Sequence, residues 1–202
     1  MMRRLFVVLL IAFLCSEAGL NAQVVAVKTN ALYLATSTFN AGVEVALGDR
    51  FSVDLEGGYN PWTLDSGKNM KARHYLVSPE IRYWFCESFN GHFIGVNANY
   101  TLFNVGGVDV PAVFFPSESS AFVLERMKES RNEGWAAGAG LTYGCQWTIA
   151  KRWNLELTAG FGYWVTSYNS YETRKCGLFR EHVEHGAFGP TALGLSFIYI
   201  IR

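Results

Sequence analysis

Apolar and polar residues alternate along eight segments of the chain, which is the pattern of strands in a sheet with two different faces. In residues 51–56, for example, Phe51, Val53 and Leu55 are separated by polar residues. Successive side chains of a strand point to opposite faces, so one face of this sheet is apolar and the other polar. We predict strands at 24–34, 39–47, 51–59, 74–85, 91–103, 134–148, 153–166 and 188–201.

The connections between these strands alternate in length. Those at 48–50, 86–90 and 149–152 are short, whereas those at 60–73, 104–133 and 167–187 are long and polar. The first connection of the second set, 35–38, is short as well. Outer-membrane barrels keep short turns in the periplasm and longer loops outside. The pattern predicts an all-β fold, an eight-stranded antiparallel up-and-down transmembrane β-barrel in the bacterial outer membrane, with both termini in the periplasm.

The first 22 residues have the features of a signal peptide. Arg3 and Arg4 precede an apolar stretch, 5–14, and a cleavage site is expected at Ala22. The apolar stretch is shorter than the roughly 20 residues of a membrane helix. A lipoprotein attached at Cys15 is an alternative, although bulky residues precede this cysteine. Residues 23–202 then form one barrel domain.

The two faces of the predicted strands carry different residues. The outward-facing set is Val43, Val45, Leu47, Val77, Ile81, Tyr83, Phe85, Ile94, Val96, Ala98, Tyr100, Leu155, Leu157, Ala159, Phe161 and Tyr163. Aromatic girdles are expected at both membrane interfaces, with Phe51, Phe85, Trp147, Trp153 and Tyr199 at the periplasmic edge and Tyr33, Tyr59, Tyr75, Trp135 and Tyr163 at the outer edge. A soluble ligand barrel, with its apolar face inward, is the alternative that alternation alone leaves open.

Charged residues fall on the inward face. The predicted polar network of the lumen is Lys28, Glu44, Asp54, Glu56, Glu80, Arg82 and Glu156. An eight-stranded barrel has room inside only for side chains, so these groups should pair with one another. The network is interpreted as an internal plug, and a narrow path for cations or small solutes is the alternative.

The third connection at the outer end, 104–133, contains an apolar stretch, 108–116, with prolines at 111 and 116. Its centre, Val113, Phe114 and Phe115, is the predicted partner-binding site. Such a segment either packs over the mouth of the barrel or binds a partner.

Composition and motifs narrow the function further. The formal net charge is zero, which argues against nucleic acid as a partner. The sequence has no spacing typical of metal ligands and no cofactor motif, and we expect no disulfide framework. The predicted partners are outer-membrane lipid and a surface protein, and the barrel is expected to be a monomer. Candidates for a lipid-modifying site are His74 with Ser78, or Ser167 and Ser170 with His182 and His185. Such pairs are ordinary content of polar loops, so we expect no catalytic residues and no enzyme.

Several motifs, in order along nearly the whole mature chain, resemble a family of uncharacterised outer-membrane barrels from Bacteroidota. The motifs are Lys28-Thr29-Asn30, Tyr59-Asn60-Pro61-Trp62, Pro79-Glu80-Ile81-Arg82-Tyr83-Trp84, Phe89-Asn90-Gly91-His92-Phe93, Tyr143-Gly144 with Gln146-Trp147, Lys151-Arg152-Trp153-Asn154-Leu155-Glu156, Lys175-Cys176-Gly177 and Phe188-Gly189-Pro190-Thr191. The resemblance implies an eight-stranded barrel, an outer-membrane location and, because members are often encoded beside fimbrial subunits, a role near fimbriae. It implies no catalytic residues.

Overall fold

The computed structural model of the chain describes residues 24–65, 70–107, 130–172 and 177–201. These residues form nine strands and one short helix, α1 (Ala31–Ala35). The strands are β1 (Val25–Asn30), β2 (Phe39–Ala46), β3 (Phe51–Asn60), β4 (Thr63–Asp65), β5 (Met70–Trp84), β6 (Gly91–Gly106), β7 (Ser130–Ala150), β8 (Trp153–Glu172) and β9 (Phe179–Ile201). Within the four described ranges, no helix is long and apolar enough to cross a membrane.

The strands form one antiparallel sheet that closes into a ring. β1 pairs with both β2 and β9, β3 pairs with β5, and the other neighbours pair in chain order. Eight strands complete the ring, while β4 lies outside it and pairs with β5. The ring has a short-turn end, where β2–β3, β5–β6 and β7–β8 are joined, and an opposite long-loop end. The predicted antiparallel barrel is confirmed.

At the long-loop end the structure has one strand and one helix that the sequence did not predict. The predicted connection 60–73 contains β4, so the structure has nine strands where the sequence predicted eight. Asn60 Oδ1 accepts a hydrogen bond from the backbone N–H of Trp62 at 3.1 Å, which turns the chain before β4. The first strand ends earlier than predicted, because the Asn30 side chain accepts from the backbone N–H of Leu32 at 3.0 Å and caps α1.

The last three strands extend further toward the long-loop end than predicted. β7 begins at Ser130, β8 continues to Glu172 and β9 begins at Phe179. The ladder between β8 and β9 continues as far as Tyr171. In these extensions polar residues occupy both faces, so the apolar–polar alternation disappears although the ladder of hydrogen bonds continues.

The ring is polar inside and apolar outside. On β3 the inward-facing Asp54 is 2% exposed, whereas its neighbour Leu55 is 53% exposed. On β5 and β7 the outward-facing Ile81 and Leu141 are 60% and 70% exposed. A soluble ligand barrel has the opposite arrangement, with its apolar residues inside. The alternative of a soluble barrel with an apolar interior does not fit this ring.

Aromatic side chains line both edges of the apolar outer face. At the short-turn end Phe51, Phe85, Trp147 and Trp153 are exposed, and at the long-loop end Tyr59, Tyr75, Trp135 and Tyr163 are exposed. The Tyr59 and Tyr75 rings stack with centroids 4.7 Å apart. The expectation for Tyr33 is wrong, because α1 turns this residue into a cavity inside the ring. Burial there, together with nearby Glu56, raises the pKa of the Tyr33 hydroxyl far above its ordinary range.

Candidate functional site

The register of the sheet gathers the charged residues of the lumen. Of the seven residues predicted for this network, all except the half-buried Glu56 are buried. Glu44 pairs with Asp54 and Asp54 with Glu80, so three carboxylates lie side by side on β2, β3 and β5. Two cations and a fourth carboxylate approach this row from β1, β5 and β8. They are Lys28, Arg82 and Glu156.

Arg82 is the centre of the lumen network. Its Nη1 lies 2.9 Å from Glu44 Oε2 and 2.8 Å from Glu156 Oε2. Its Nη2 lies 3.0 Å from Glu80 Oε2 and 3.4 Å from Asp54 Oδ2. The planar guanidinium presents several N–H donors and can therefore contact several carboxylates at once, whereas a lysine ammonium is a single compact charge. One side chain therefore links β5 to β2, β3 and β8.

Lys28 serves the other side of the network. Its Nζ forms an ion pair with Asp54 and lies 3.7 Å from Glu156 Oε1. Its stem crosses Gly42, the residue opposite it on β2. A Cβ at position 42 would lie 2.8 Å from Lys28 Cγ, so glycine leaves the space that the lysine stem needs.

The carboxylates outnumber the cations. Asp54 Oδ1, Glu56 Oε1 and Glu80 Oε1 are buried and have no hydrogen-bond partner among the described residues. A cavity of about 20 Å³ lies beside them and is lined also by Lys28 and Tyr33. This volume accommodates about one water molecule. Because the groups are buried, removing one partner of a pair leaves a charge that costs about 3–5 kcal/mol.

Aromatic residues close the lumen below this network, at the short-turn end. The guanidinium carbon of Arg82 lies 4.3 Å from the centroid of the Phe93 ring, a cation–π contact. Phe93 packs on Trp84, with centroids 4.7 Å apart, and both side chains are completely buried. Trp84 Nε1 donates to Ser52 Oγ at 2.9 Å, and Ser52 donates to Glu44 Oε1 at 2.5 Å. An apolar cluster of Ala26, Ala46, Phe89 and Ile198 adjoins them.

A neutral polar layer occupies the lumen on the other side of the charged network. Asn97 donates to Thr142 Oγ1 at 2.5 Å and to Thr191 Oγ1 at 3.2 Å. Asn99 donates to Asn97 Oδ1 at 3.0 Å and to the Thr191 carbonyl at 3.1 Å. Apart from the cavity of about 20 Å³ beside the carboxylates, side chains occupy the lumen at the level of these layers.

The sequence did not predict that Trp84 and Phe93 close the lumen, or that Thr142 and Thr191 lie inside it. Trp84 and Phe93 both belong to motifs of the family resemblance, which give them no place in the lumen, although each alternates with an inward residue, Arg82 and Gly95 respectively. This phase was the signal that could have placed them inside. For Thr191 no such signal existed, because a register shift between Gly160 and Phe161 changes its pairing with β8.

The structure separates the serine and histidine candidates. His74 and Ser78 lie on β5 in the inward phase and Ser78 lines the central cavity, which does not suit a site on the outer face. Ser170 and His185 also belong to the inward phase of β8 and β9. Ser167 and His182 are brought together on the outer face. The predicted partner-binding residues Val113, Phe114 and Phe115 lie outside the described residues.

Cysteines and metal ligands form no cluster in the described part of the chain. Cys86 and Cys145 are free thiols, exposed and buried respectively, and both lie toward the short-turn end. Cys176 lies outside the described residues. Across 24–65, 70–107, 130–172 and 177–201, no three histidine, cysteine or acidic side chains are grouped so that they could hold a metal ion.

The comparisons with known proteins give one match. A family model described as "Protein of unknown function (DUF3575)" matches residues 5–201, nearly the whole chain. No curated protein and no solved structure matches the chain. The match confirms the resemblance to an uncharacterised family, while Bacteroidota and an association with fimbriae stay predictions.

Proposed function

We propose that this chain, which belongs to the DUF3575 family of proteins of unknown function, is an integral barrel of the bacterial outer membrane with an internally plugged lumen. Its role is structural or interactive: it presents the connections of the long-loop end at the cell surface. The observation that carries the proposal is the reversal of polarity across one closed ring, with buried charges such as Arg82 inside and exposed apolar residues such as Ile81 outside.

The height of the apolar outer face supports the membrane location. On β5 the outward residues are apolar or aromatic from Tyr75 to Tyr83, and Phe85 follows in the same phase. At about 3.3 Å per residue and a strand tilt of about 40°, a span of roughly ten residues rises about 25 Å. That is the height of the apolar band of outer-membrane barrels. In water so large an exposed apolar surface would cause aggregation, whereas in a membrane it contacts the acyl chains of the lipids.

The filled lumen favours a plug over a pore. Arg82 joins four strands through carboxylates, and Trp84 and Phe93 close the short-turn end beneath it. Eight strands leave an interior just wide enough for side chains. We therefore propose that the charged network holds the ring together and conducts no ions. Planar-bilayer recordings of the refolded chain should show no discrete conductance.

The strand extensions support a role at the surface. Beyond Trp135 and Val165 the ring continues as a polar collar on β7, β8 and β9. The collar on β7 begins at Ser130, the residue that follows the connection 107–129. We propose that this connection binds a surface protein, with a fimbrial subunit suggested by the family resemblance, and that the barrel itself is a monomer.

In-cell photo-crosslinking tests this interaction. Phe115 is replaced by a photoreactive aromatic residue, and Ser119 in the same connection serves as a second site. A discrete adduct identified by mass spectrometry supports the interaction. Deletion of 108–129, which spares β6 and β7, should abolish the adduct and alter a surface assembly. If no adduct forms with protein that is folded in the outer membrane, the interaction role is wrong.

A further inference from the structure

Ser167, His182 and Asn169 form a chain of polar contacts on the outer face of the ring, at the long-loop end. Asn169 lies opposite His182 in the β8–β9 ladder, and Ser167 shares its face. Asn169 Oδ1 lies 2.8 Å from His182 Nδ1, and His182 Nε2 lies 3.4 Å from Ser167 Oγ. Glu184 Oε1 also approaches Nε2, at 3.5 Å.

These contacts give the three side chains the order of a catalytic serine site. A serine hydroxyl faces one nitrogen of an imidazole, and the other nitrogen is held by an oxygen acceptor. Because Asn169 Oδ1 can only accept, it holds the proton of His182 on Nδ1, so Nε2 can accept the Ser167 proton. Glu184 Oε1, 3.5 Å from Nε2, would then stabilise the imidazolium that forms. The 3.4 Å contact is long, as such contacts often are before substrate binds.

The position of Ser167 on β8 indicates which substrate it would meet. The outward residues before it, Phe161, Tyr163 and Val165, are all exposed and apolar. Ser167 is the first polar residue in this phase, and Trp135 lies opposite it on β7. Aromatic residues of this kind mark the level of lipid headgroups. The hydroxyl therefore lies where the apolar face ends, close to the depth of the acyl ester bonds of a lipid.

A row of basic residues adjoins this patch. Lys71 pairs with Gly106, Gly106 with Arg131 and Arg131 with Tyr171, so two cations share one row that ends two residues from Asn169. Burial, with Arg131 nearby, lowers the pKa of Lys71, as expected where cations crowd together. Arg131 also lies 3.9 Å from Glu133, and its remaining N–H donors together with Lys71 suit the phosphate of a lipid headgroup.

We propose that Ser167, His182 and Asn169 hydrolyse acyl esters of phosphate-bearing lipids in the outer leaflet. Ser167 Oγ attacks the ester carbonyl carbon while its proton passes to His182 Nε2. The tetrahedral adduct collapses by breaking the bond to the alcohol oxygen, which takes the proton from Nε2. Water then attacks the acyl-serine with the same proton transfers, releasing a fatty acid and restoring the hydroxyl.

This inference rests on the membrane location proposed above but not on the plugged lumen or a protein partner. It departs from the expectation of a non-enzymatic protein, which considered serine and histidine in the loops without their geometry. The same two strands supply matched controls. Ser170 and His185 belong to the inward phase and lie only three residues from Ser167 and His182.

The test uses the full chain refolded in mixed micelles of detergent and phosphatidylglycerol, and it measures release of free fatty acid. Ser167→Ala and His182→Asn should each lower the rate about 100-fold or more, while Asn169→Ala should lower it about tenfold. Ser170→Ala and His185→Asn should stay within about twofold of the parent rate. A fluorophosphonate probe should label Ser167, and Arg131→Gln should slow hydrolysis of phosphatidylglycerol more than that of diacylglycerol.

Two results would overturn the proposal. One is the absence of both fatty-acid release and Ser167 labelling from protein whose heat-dependent gel mobility shows a folded barrel. The other is an equal loss of rate in the Ser167→Ala and Ser170→Ala variants, since the outward patch would then have no special role. Failure of the gel shift itself would count against the membrane barrel, so the two proposals fail in different ways.

Discussion

Replacement of Arg82 by methionine tests whether the charged network holds the barrel together. The change keeps most of the side-chain volume but removes the guanidinium that contacts Glu44, Glu80, Asp54 and Glu156. Lys28 still contacts Asp54 and Glu156, so Glu44 and Glu80 lose their cation. A buried pair broken in this way costs about 3–5 kcal/mol, because one charge is left uncompensated.

Protonation limits that cost and gives the prediction a pH dependence. A carboxylate can take up a proton instead, which at pH 8 costs about 5 kcal/mol from an ordinary value near 4.3 and at pH 5 only about 1 kcal/mol. The folded Arg82→Met variant then binds more protons than its unfolded chain, so its stability falls as the pH rises. We expect a loss of about 4 kcal/mol near pH 8 and of roughly 1–2 kcal/mol near pH 5.

Urea unfolding of the refolded barrel in lipid vesicles, followed by tryptophan fluorescence and by gel mobility, measures this loss. Arg73→Met is the matched control, because Arg73 is exposed at the long-loop end and donates to Thr63 Oγ1. The control should stay within about 1 kcal/mol of the parent. A double variant, Arg82→Met with Glu44→Gln, should recover part of the loss. If Arg82→Met were as stable as the control at both pH values, the network would not hold the barrel together.

Three further predictions follow from the packing and topology of the ring. Gly144→Ala should lower the free energy of unfolding in urea by about 1–3 kcal/mol, because the new Cβ would overlap the Phe93 ring. Gly189→Ala should change this free energy little, because the nearest atom to its Cβ would lie 3.8 Å away. Equal losses in the two variants would contradict this packing. The combined Trp84→Ala and Phe93→Ala variant should be less stable than the parent but still show no discrete conductance in planar bilayers, because the charged network around Arg82 and the neutral layer of Asn97 and Asn99 remain; ion conduction by this variant would contradict the plug. A variant whose only cysteine is Cys86 should react with an impermeant maleimide after the outer membrane is broken but not in intact cells, and labelling in intact cells would reverse the topology.

Much of the barrel could be predicted, because a strand with one polar and one apolar face shows in its alternating residues which side chains point inward and which point outward. The alternation in 51–56 and the side-by-side carboxylates at 44, 54 and 80 follow from the period of two and from antiparallel pairing. The charged residues assigned to the lumen lie there in the structure. The alternation of faces does not predict the individual ion pairs, such as the contacts of four carboxylates with the Arg82 guanidinium.

The remaining features depend on contacts between distant strands or on places where the two faces become alike. The extensions of β7, β8 and β9 escaped notice because both faces are polar there. The helix α1 depends on one capping side chain, Asn30, which a strand pattern does not reveal. The contact between Ser167 and His182 depends on the register of β8 with β9, set partly by shifts in pairing near Gly160 and Ser170.

The most direct test of the account is the accessibility of spin labels along β6 in lipid vesicles. Single labels are placed from 94 to 100, where Ile94, Val96 and Tyr100 face outward and Gly95, Asn97 and Asn99 face the lumen. The membrane barrel predicts that labels at 94, 96, 98 and 100 meet dissolved oxygen but not a water-soluble nickel complex, and that those between them meet neither. If the outward positions were open to the nickel complex in folded protein, the apolar face would lie in water and the membrane barrel would be wrong.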